Sequence, residues 1–191
     1  MNGASEPDDQ TLAGRALSGD RRAFPALVRR HKEPLYRFIR RYTGDADEAY
    51  DVLQDTFTAA WAALKRYDPQ RPFSTWLRSI ALNKCRDWGR RRTVRRWLTR
   101  SDPLDSPAGL ALPAAEPTPE AALTARQDVV RLDAAIAKLP QGLKEPLILT
   151  QLEELSHEEA GKLLDLTPKA VEVRVYRARR ALAAALGLGP A

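Results

Sequence analysis

The segment TPKAVEVRVYRARRAL, residues 167–182, combines a helical apolar pattern with many basic side chains. Val171, Val175 and Leu182 recur at helical spacing, so the segment is predicted to be a helix with one buried face and an arginine-rich exposed face. Arginine and lysine at this density suit the phosphates of nucleic acid. A single carboxylate, Glu172, interrupts the basic residues, and its role is open at this point.

The residues before this helix predict how it is held. Ser156 and Glu159 have the spacing of a capping box, which marks the start of a first helix. Thr167 followed by Pro168 marks the start of the second helix, after a short turn. This is the pattern of a helix-turn-helix, whose second helix enters the major groove of DNA. A helical hairpin with merely solvated arginines is the alternative, but cap, turn and basic face together favour DNA binding.

A second charged pattern lies in the N-terminal half. Residues 45–55 contain several acids and no base, whereas residues 71–96 are rich in arginine. Acids on one helix and bases on the next indicate two partners, a basic protein surface and DNA. Two solvated faces of opposite sign are the alternative explanation.

No set of residues suits catalysis or metal binding. Cys85, His31 and His157 are far apart in sequence and do not form a zinc-site pattern. Neither a phosphate loop nor a catalytic triad pattern is present. We therefore predict a protein that is not an enzyme and that uses no cofactor or metal. Cys85 adjoins an apolar stripe and is predicted to be a small core residue.

The composition limits the compartment and the partners. The 191 residues include 31 lysines and arginines against 25 acids, a net charge of +6, which suits an anionic partner. One cysteine excludes an internal disulfide and favours a reducing compartment. The acidic N-terminus has no signal-peptide pattern, and no apolar stretch is long enough to span a membrane. We predict a soluble cytoplasmic protein without membrane insertion.

Helical periodicity runs through most of the chain, and no alternating strand pattern is present. Asp20 is predicted to cap a helix that Pro34 kinks or divides. The next helix is predicted to bury one apolar stripe, formed by Tyr50, Leu53, Phe57, Trp61 and Leu64. After prolines at 69 and 72, a further helix is predicted to bury Phe73, Trp76, Leu77, Ile80 and Trp88.

Residues 101–119 are rich in proline, poor in charge and without a periodic stripe, which is typical of an extended linker. The helical pattern resumes at about Pro119. We predict an all-α fold with two small helical domains, residues 8–98 and 126–187. A flexible linker rich in proline and alanine, residues 99–125, is predicted to join them.

Two segments resemble a known family, the short bacterial sigma factors of the extracytoplasmic-function kind. TGDADEAYDVLQDTFTAAWAALKRYDPQRPFSTWLRSIALNKCRDWGRRR, residues 43–92, resembles region 2 of the sigma-70 family. LPQGLKEPLILTQLEELSHEEAGKLLDLTPKAVEVRVYRARRAL, residues 139–182, resembles region 4. The two motifs occur in the order of the family, and a linker of the family's kind separates them.

The resemblance implies that core RNA polymerase is a partner, through a coiled coil of its β′ subunit and through its β flap. The acidic helix would dock on the β′ coiled coil. By position, the docking residues would be Asp51, Gln54, Asp55 and Thr58. Helical spacing places them on one outward face, opposite the apolar stripe.

The resemblance also implies that region 2 captures the −10 promoter element as a single strand, with a flipped base in a pocket of the loop 67–73. The matching residues are Tyr67, Arg71, Phe73, Asn83, Lys84, Arg86 and Arg90. Their chemistry agrees with this role, since asparagine can bond a base edge, aromatic rings can stack on bases and arginines can hold phosphates. Trp76 is interpreted as a core residue in preference to a stacking platform.

In region 4, the second helix of the helix-turn-helix would read the −35 element. The matching positions are Lys169, Glu172, Val173, Arg174 and Arg177, with Arg179 and Arg180 as phosphate contacts. Glu172 departs from the family, which commonly has a basic residue there. Either it accepts a hydrogen bond from cytosine N4, which we favour, or it pairs within the helix with Arg179 or a lysine. Asp165 also departs, because glycine is frequent at that turn position.

The resemblance implies a promoter-specificity subunit that brings polymerase to promoters, assists their melting and is held inactive by an anti-sigma factor. It would act in the cytoplasm, at the nucleoid when bound to polymerase. One alternative is a sigma-like adaptor that sequesters an anti-sigma protein without binding DNA, which the arginines at both DNA faces oppose. Another is an ordinary helix-turn-helix repressor, which would leave the acidic helix unexplained.

Overall fold

The computed structural model describes residues 7–98 and 119–188, and helices joined by short loops make up these residues, with no strand among them. The predicted all-α fold is confirmed. The helices are α1 (Asp9–Leu17), α2 (Ala23–Thr43), α3 (Ala46–Ala63), α4 (Phe73–Leu98), α5 (Pro119–Lys138), α6 (Gln141–Leu147), α7 (His157–Leu164) and α8 (Pro168–Leu186). Residues 99–118 of the predicted linker lie outside the described part of the chain.

The described residues fall into two compact units. The first contains residues 7–39 and 50–98, and the second contains residues 40–49 and 119–188. The prediction of two helical domains is confirmed. The structure adds that the end of α2 and the start of α3 belong with the C-terminal helices, which the sequence pattern did not indicate.

Helix α2 differs from the prediction at its start and at Pro34. It begins at Ala23, and the carboxylate of Asp20 accepts instead from the N–H of Arg22 (2.9 Å) and from Arg15 (2.6 Å). Asp20 therefore accepts from a backbone N–H as a cap does, but in the turn that leads into the helix and not at its first position. Pro34 removes one backbone hydrogen bond but does not divide α2. Phe38, one turn beyond it, is fully buried, and this packing outweighs the lost bond.

Helix α3 buries only part of the predicted stripe. Leu53 and Leu64 are buried and Phe57 is half-buried, but Tyr50 and Trp61 are 46% and 54% exposed. Their place in the core is taken by smaller side chains: Ala49, Val52, Thr56 and Ala60. Thr56 can be buried because its hydroxyl donates to the carbonyl of Val52 (2.6 Å). Helical spacing alone could not distinguish this stripe from the aromatic one beside it.

In α4 the predicted apolar residues are buried or half-buried. Phe73, Leu77 and Trp88 are buried, and Trp76 and Ile80 are half-buried. Cys85 is fully buried, as predicted for a small core residue. Among the residues that the structure describes, no helix is long and apolar enough to cross a membrane.

The second unit encloses a polar cluster. Tyr42 donates its hydroxyl to Glu145 (3.0 Å), and Lys144 donates to the carbonyls of Tyr42 (3.1 Å) and Ala137 (2.6 Å). Lys144 and Glu145 are almost completely buried, so these bonds compensate for the loss of water. Gly44 lies beside them with a positive φ of 76°, and a Cβ there would lie 2.5 Å from that of Ala137. Residues 40–49 therefore fit closely against the end of α5 and the start of α6.

The helix-turn-helix forms from α7 and α8 with the predicted caps. The Ser156 hydroxyl accepts from the N–H of Glu159 (3.1 Å), and the Glu159 carboxylate accepts from the N–H of Ser156 (2.8 Å). Thr167 caps α8, with Pro168 at its first position. Asp165 adopts the left-handed conformation (φ 56°) that glycine favours, so the turn forms although glycine is missing.

Gly161 permits a close approach between α7 and the turn. A Cβ at this position would lie 2.6 Å from the carbonyl oxygen of Leu166, and the N–H of Leu166 donates to the carbonyl of Gly161 (2.9 Å). Because that obstacle is backbone, the turn must open to admit a methyl group. We expect Gly161→Ala to destabilise the protein by about 1–3 kcal/mol.

Urea unfolding followed by circular dichroism measures this effect. Gly142→Ala is the matched control, since its nearest neighbour is the Arg174 side chain at 3.8 Å, an ordinary contact. Equal midpoints for the two variants would show that the turn tolerates the methyl group.

Candidate functional site

The acidic face of α3 is exposed. Its residues are Asp51, Gln54, Asp55 and Thr58, all of them exposed. They lie on the side of the helix opposite the buried Val52 and Thr56, as their spacing predicted. Asp55 lies 3.7 Å from the guanidinium of Arg91 on α4. Both side chains are half-exposed, so this pair leaves the carboxylate accessible to a partner.

Trp61 borders the acidic face and was missed as a candidate. It follows Thr58 by one turn and packs edge-on against Phe24 of α2, with ring centroids 4.9 Å apart. An exposed tryptophan beside charged residues is typical of protein interfaces, where aromatic side chains act as anchors. Its helical spacing with Leu53 and Leu64 predicted a core residue, but its side chain is 54% exposed.

The loop 67–73 encloses aromatic rings. Tyr67 and Phe73 are buried, and their rings meet edge to face at 5.3 Å. The Tyr67 hydroxyl donates to the carbonyl of Arg71 (2.8 Å), which ties the two ends of the loop together. Burial raises the pKa of Tyr67, and the negative charges of Asp9, Asp68 and Asp8 raise it further. The hydroxyl therefore remains a donor at neutral pH.

Trp76 joins this cluster. Its ring lies 5.1 Å from that of Tyr67 and 5.3 Å from that of Phe73. It is half-buried, so its interpretation as a core residue holds for the part of the ring that contacts the cluster.

A cavity of about 460 Å³ opens beside the loop. It is lined by Tyr67 and residues 69–74 from the loop and the start of α4, and by Arg30 and residues 8–10. Three of the predicted −10 residues, Tyr67, Arg71 and Phe73, are thus brought together around it. The contribution of residues 8–10, at the start of α1, was not predicted.

The other predicted −10 residues lie further along α4. Asn83, Arg86 and Arg90 are spaced i, i+3 and i+7 and share one face, which begins about 15 Å beyond Phe73 along the helix. Asn83 and Arg90 are exposed, whereas Lys84 and Arg86 are half-buried. Arg90 pairs with Asp87. The arginines at 91, 92 and 95 are exposed as well, so the C-terminal half of α4 has a basic surface.

Helix α8 presents the predicted −35 residues. It buries Val171, Val175, Ala178 and Leu182, and this fixes which side remains outside. The residues outside the core are Lys169, Glu172, Val173, Arg177, Arg179 and Arg180, all exposed, and Arg174, which is half-buried. Arg179 donates to the side chain of Gln151. Tyr176, which the sequence analysis did not select, is 61% exposed, with the Arg180 guanidinium 5.9 Å from its ring centre.

Glu172 pairs with Lys169 on the same helix. Lys169 Nζ lies 2.9 Å from Glu172 Oε2, and this hydrogen bond, together with the lysine's charge, lowers the pKa of Glu172. The partner is thus a neighbouring lysine and not Arg179, which is bonded elsewhere. The pair is exposed on both sides, so the carboxylate can still meet a base, and its role in DNA reading stays a prediction.

Among the residues that the structure describes, no group of three or more histidine, cysteine, aspartate or glutamate side chains is placed to hold a metal ion. The arrangement offers three separate surfaces instead. They are an acidic helical face, a cavity with a basic helix beside it, and a basic helix presented by a helix-turn-helix.

Two family models match the chain. Sigma-70 region 2 matches residues 27–96, and Sigma-70, region 4 matches residues 130–182. The match to region 2 covers the acidic face, the loop 67–73 and the basic surface of α4, and the match to region 4 covers the helix-turn-helix. Helix α1 precedes both matches.

Individual relatives agree with these models over nearly the whole chain. The RNA polymerase sigma factor CnrH of Cupriavidus metallidurans is 42% identical over 184 residues, which are 95% of each protein. The ECF RNA polymerase sigma factor SigE of Mycolicibacterium smegmatis is 32% identical over 182 residues, 93% of this chain and 68% of SigE. The structure of CnrH in complex with the cytosolic domain of CnrY is similar with a TM-score of 0.66, at 36% identity over 95% of this chain and 99% of that one.

Proposed function

Because this chain belongs to the sigma-70 family of RNA polymerase sigma factors, in the extracytoplasmic-function group, we propose that its three exposed surfaces divide the work of promoter recognition. Sigma factors bind RNA polymerase and promoter DNA, and they regulate transcription without being enzymes. The proposal assigns particular residues of this chain to polymerase binding, to the −10 element and to the −35 element.

The acidic face of α3 is proposed to bind core polymerase. Asp51, Gln54, Asp55 and Thr58 are exposed in one row, and the half-exposed Trp61 borders them. Acidic side chains with an adjoining aromatic ring suit a basic helical surface such as the β′ coiled coil. The β flap is the proposed second contact, with region 4.

The cavity beside the loop 67–73 is proposed to receive the flipped base of the −10 element. Tyr67 and Phe73 give it an aromatic floor, and Arg71 stands at its rim. Asn83 and Arg90 on the exposed side of α4 would then follow the unpaired strand, one through base edges and the other through phosphates. Lys84 and Arg86, half-buried between them, would add charge along the same path.

Helix α8 is proposed to read the −35 element in the major groove. Lys169, Val173 and Arg177 are exposed on the face turned away from the core, at the spacing of successive turns. Glu172 and Arg174 flank that row, and Arg179 and Arg180 would contact the phosphates. Arg179 can do so by exchanging its bond to Gln151 for a charged partner.

Regulation by an anti-sigma factor is proposed from the similar structure, in which CnrH is bound to the cytosolic domain of CnrY. The proposed place of action is the cytoplasm, at the nucleoid when the chain is bound to polymerase. An adaptor that only sequesters an anti-sigma protein would not need an exposed basic helix in each of the two matched regions, so we do not favour it.

One observation carries the proposal: both matched regions keep an exposed surface suited to DNA, and one of them also keeps the acidic face. Transcription of a random promoter library by core polymerase with this protein tests it. We expect transcripts only from templates with two fixed elements at a constant spacing. Arg177→Ala should relax the sequence requirement at the upstream element, and Phe73→Ala should relax it at the downstream element. Transcription no greater than with core polymerase alone would refute it.

A further inference from the structure

Helix α1 lies before the residues that match region 2, yet it forms part of the cavity beside the loop 67–73. Asp8, Asp9 and Gln10 line the cavity together with Tyr67 and residues 69–74. These three residues come from the first turn of α1 and its cap. A base that enters the cavity would therefore lie near residues of both the loop and α1.

A set of polar contacts fixes the start of α1 to α2. Asp9 uses both carboxylate oxygens, with Oδ1 at 2.7 Å from Arg30 Nη1 and Oδ2 at 2.8 Å from His31 Nε2. Arg30 also donates to the carbonyl of Pro7 (2.9 Å). Two neighbouring side chains of α2 thus hold residues on both sides of the Asp8 position, which restricts where that carboxylate can point.

The same contacts reach the loop. The His31 ring lies 5.3 Å from that of Phe73, which in turn packs against Tyr67. His31 is therefore placed between the carboxylate of Asp9 and the aromatic floor of the cavity. Movement of α1 away from α2 would disturb both the wall and the floor.

Asp8 supplies a carboxylate that can only accept hydrogen bonds. Its Oδ1 accepts from the N–H of Thr11 at 2.7 Å, the cap of α1, and this bond lowers the pKa of Asp8. A carboxylate has about four acceptor sites, so capping leaves capacity for a ligand. At neutral pH it offers no donor, and it favours groups with N–H over carbonyl oxygens.

We propose that α1 is a wall of the −10 base pocket, in which Asp9 is a positioning residue and Asp8 selects a base that carries an exocyclic amino group. The inference rests on the proposed function of the cavity. Adenine and cytosine present an amino group at the Watson–Crick edge, whereas thymine presents two carbonyls beside its one N–H. The carboxylate therefore stabilises an amino-bearing base and repels the carbonyl oxygens of thymine.

The test measures binding of the full-length protein to fluorescent single-stranded oligonucleotides. These carry the −10 element selected from the promoter library, with each of the four bases placed in turn at every position. We expect thymine to be disfavoured roughly tenfold at one position. Asp8→Asn, whose amide can donate as well as accept, should reduce this preference to less than about twofold there and leave the other positions unchanged.

The variant Asp9→Asn distinguishes the positioning of α1 by Asp9 from the selection of the base by Asp8. It keeps the shape but weakens the contacts with Arg30 and His31, so binding of all the oligonucleotides should fall by a similar factor. Duplex binding to the −35 element by the same variant should not change. Glu33→Gln, an exposed change on α2 away from the cavity, is the control.

The outcomes distinguish this inference from the function on which it rests. Suppose that Asp8→Asn still disfavours thymine at that position, while Phe73→Ala loses single-strand binding. The proposed role of α1 would then be wrong, and the proposed base pocket would stand. Oligonucleotides that bind Phe73→Ala and the wild type equally well would refute the pocket itself. Loss of folding in Asp9→Asn, seen as a lower melting temperature together with weaker −35 binding, would reduce Asp9 to a structural residue.

Discussion

We expect the reversal of Asp51 and Asp55 to lysine to weaken binding to core RNA polymerase by roughly 10- to 100-fold and to leave the helical content unchanged. Both carboxylates are exposed on the acidic face of α3, and neither takes part in the buried side of that helix. Lysines there would place like charges against a basic partner surface. The Asp55–Arg91 pair is exposed and contributes little to folding, so a loss of affinity can be assigned to the interface.

A titration of labelled core polymerase at moderate salt measures this loss. The control is the double reversal Glu33→Lys and Glu158→Lys, which changes the net charge equally at two exposed positions on α2 and α7. Trp61→Ala, which keeps every charge, should weaken binding as well if the tryptophan is part of the interface. Unchanged affinity of the Asp51 and Asp55 variant would mean that polymerase is bound elsewhere.

The helix-turn-helix shows what a sequence can predict well. Its signals are local: a capping box at Ser156 and Glu159, a cap at Thr167 and a proline in the first turn of α8. Each depends on residues within one turn of each other, so no distant packing has to be known. Even Asp165, which departs from the family's glycine, forms the expected turn because aspartate tolerates the left-handed conformation.

The α3 stripe shows where sequence reasoning fails. Tyr50 and Trp61 have the spacing of core residues, but the space under this face accommodates Val52, Thr56 and Ala60. Which of two adjacent helical faces is buried depends on the volume that neighbouring helices leave, and a single sequence does not contain that information. Similarly, Pro34 predicts a kink or a break, but tertiary packing keeps α2 continuous across it.

The residues that line the cavity were predicted in part. Tyr67, Arg71 and Phe73 were found because they are close in sequence and match a family motif. Asp8 and Asp9 were missed because their connection to the loop runs through Arg30 and His31, more than twenty residues away. From the sequence, His31 was considered only as a zinc ligand and rejected, because sequence separation says nothing about its contact with Asp9.

Glu172→Gln relaxes discrimination at one position of the −35 element by roughly 5- to 100-fold if the carboxylate accepts from a cytosine N4. Its pKa is lowered by Lys169, so it is ionised at neutral pH and can act only as an acceptor. A carboxylate facing DNA also repels phosphates, and only the correct base offsets this repulsion. We favour this role because Glu172 is exposed one turn into α8.

The Lys169–Glu172 pair sharpens the test, because the two roles predict different patterns. If Glu172 only pairs with Lys169, then Glu172→Gln releases the lysine for a phosphate, and binding to every sequence should strengthen alike. Arg180→Ala is the matched reference for a phosphate contact: it should weaken all sequences alike and flatten the salt dependence. Binding to each single-base variant of the selected −35 site, at two salt concentrations, decides between them. A uniform shift in Glu172→Gln would make Glu172 an intrahelical partner of Lys169 and would end its assignment as a base reader.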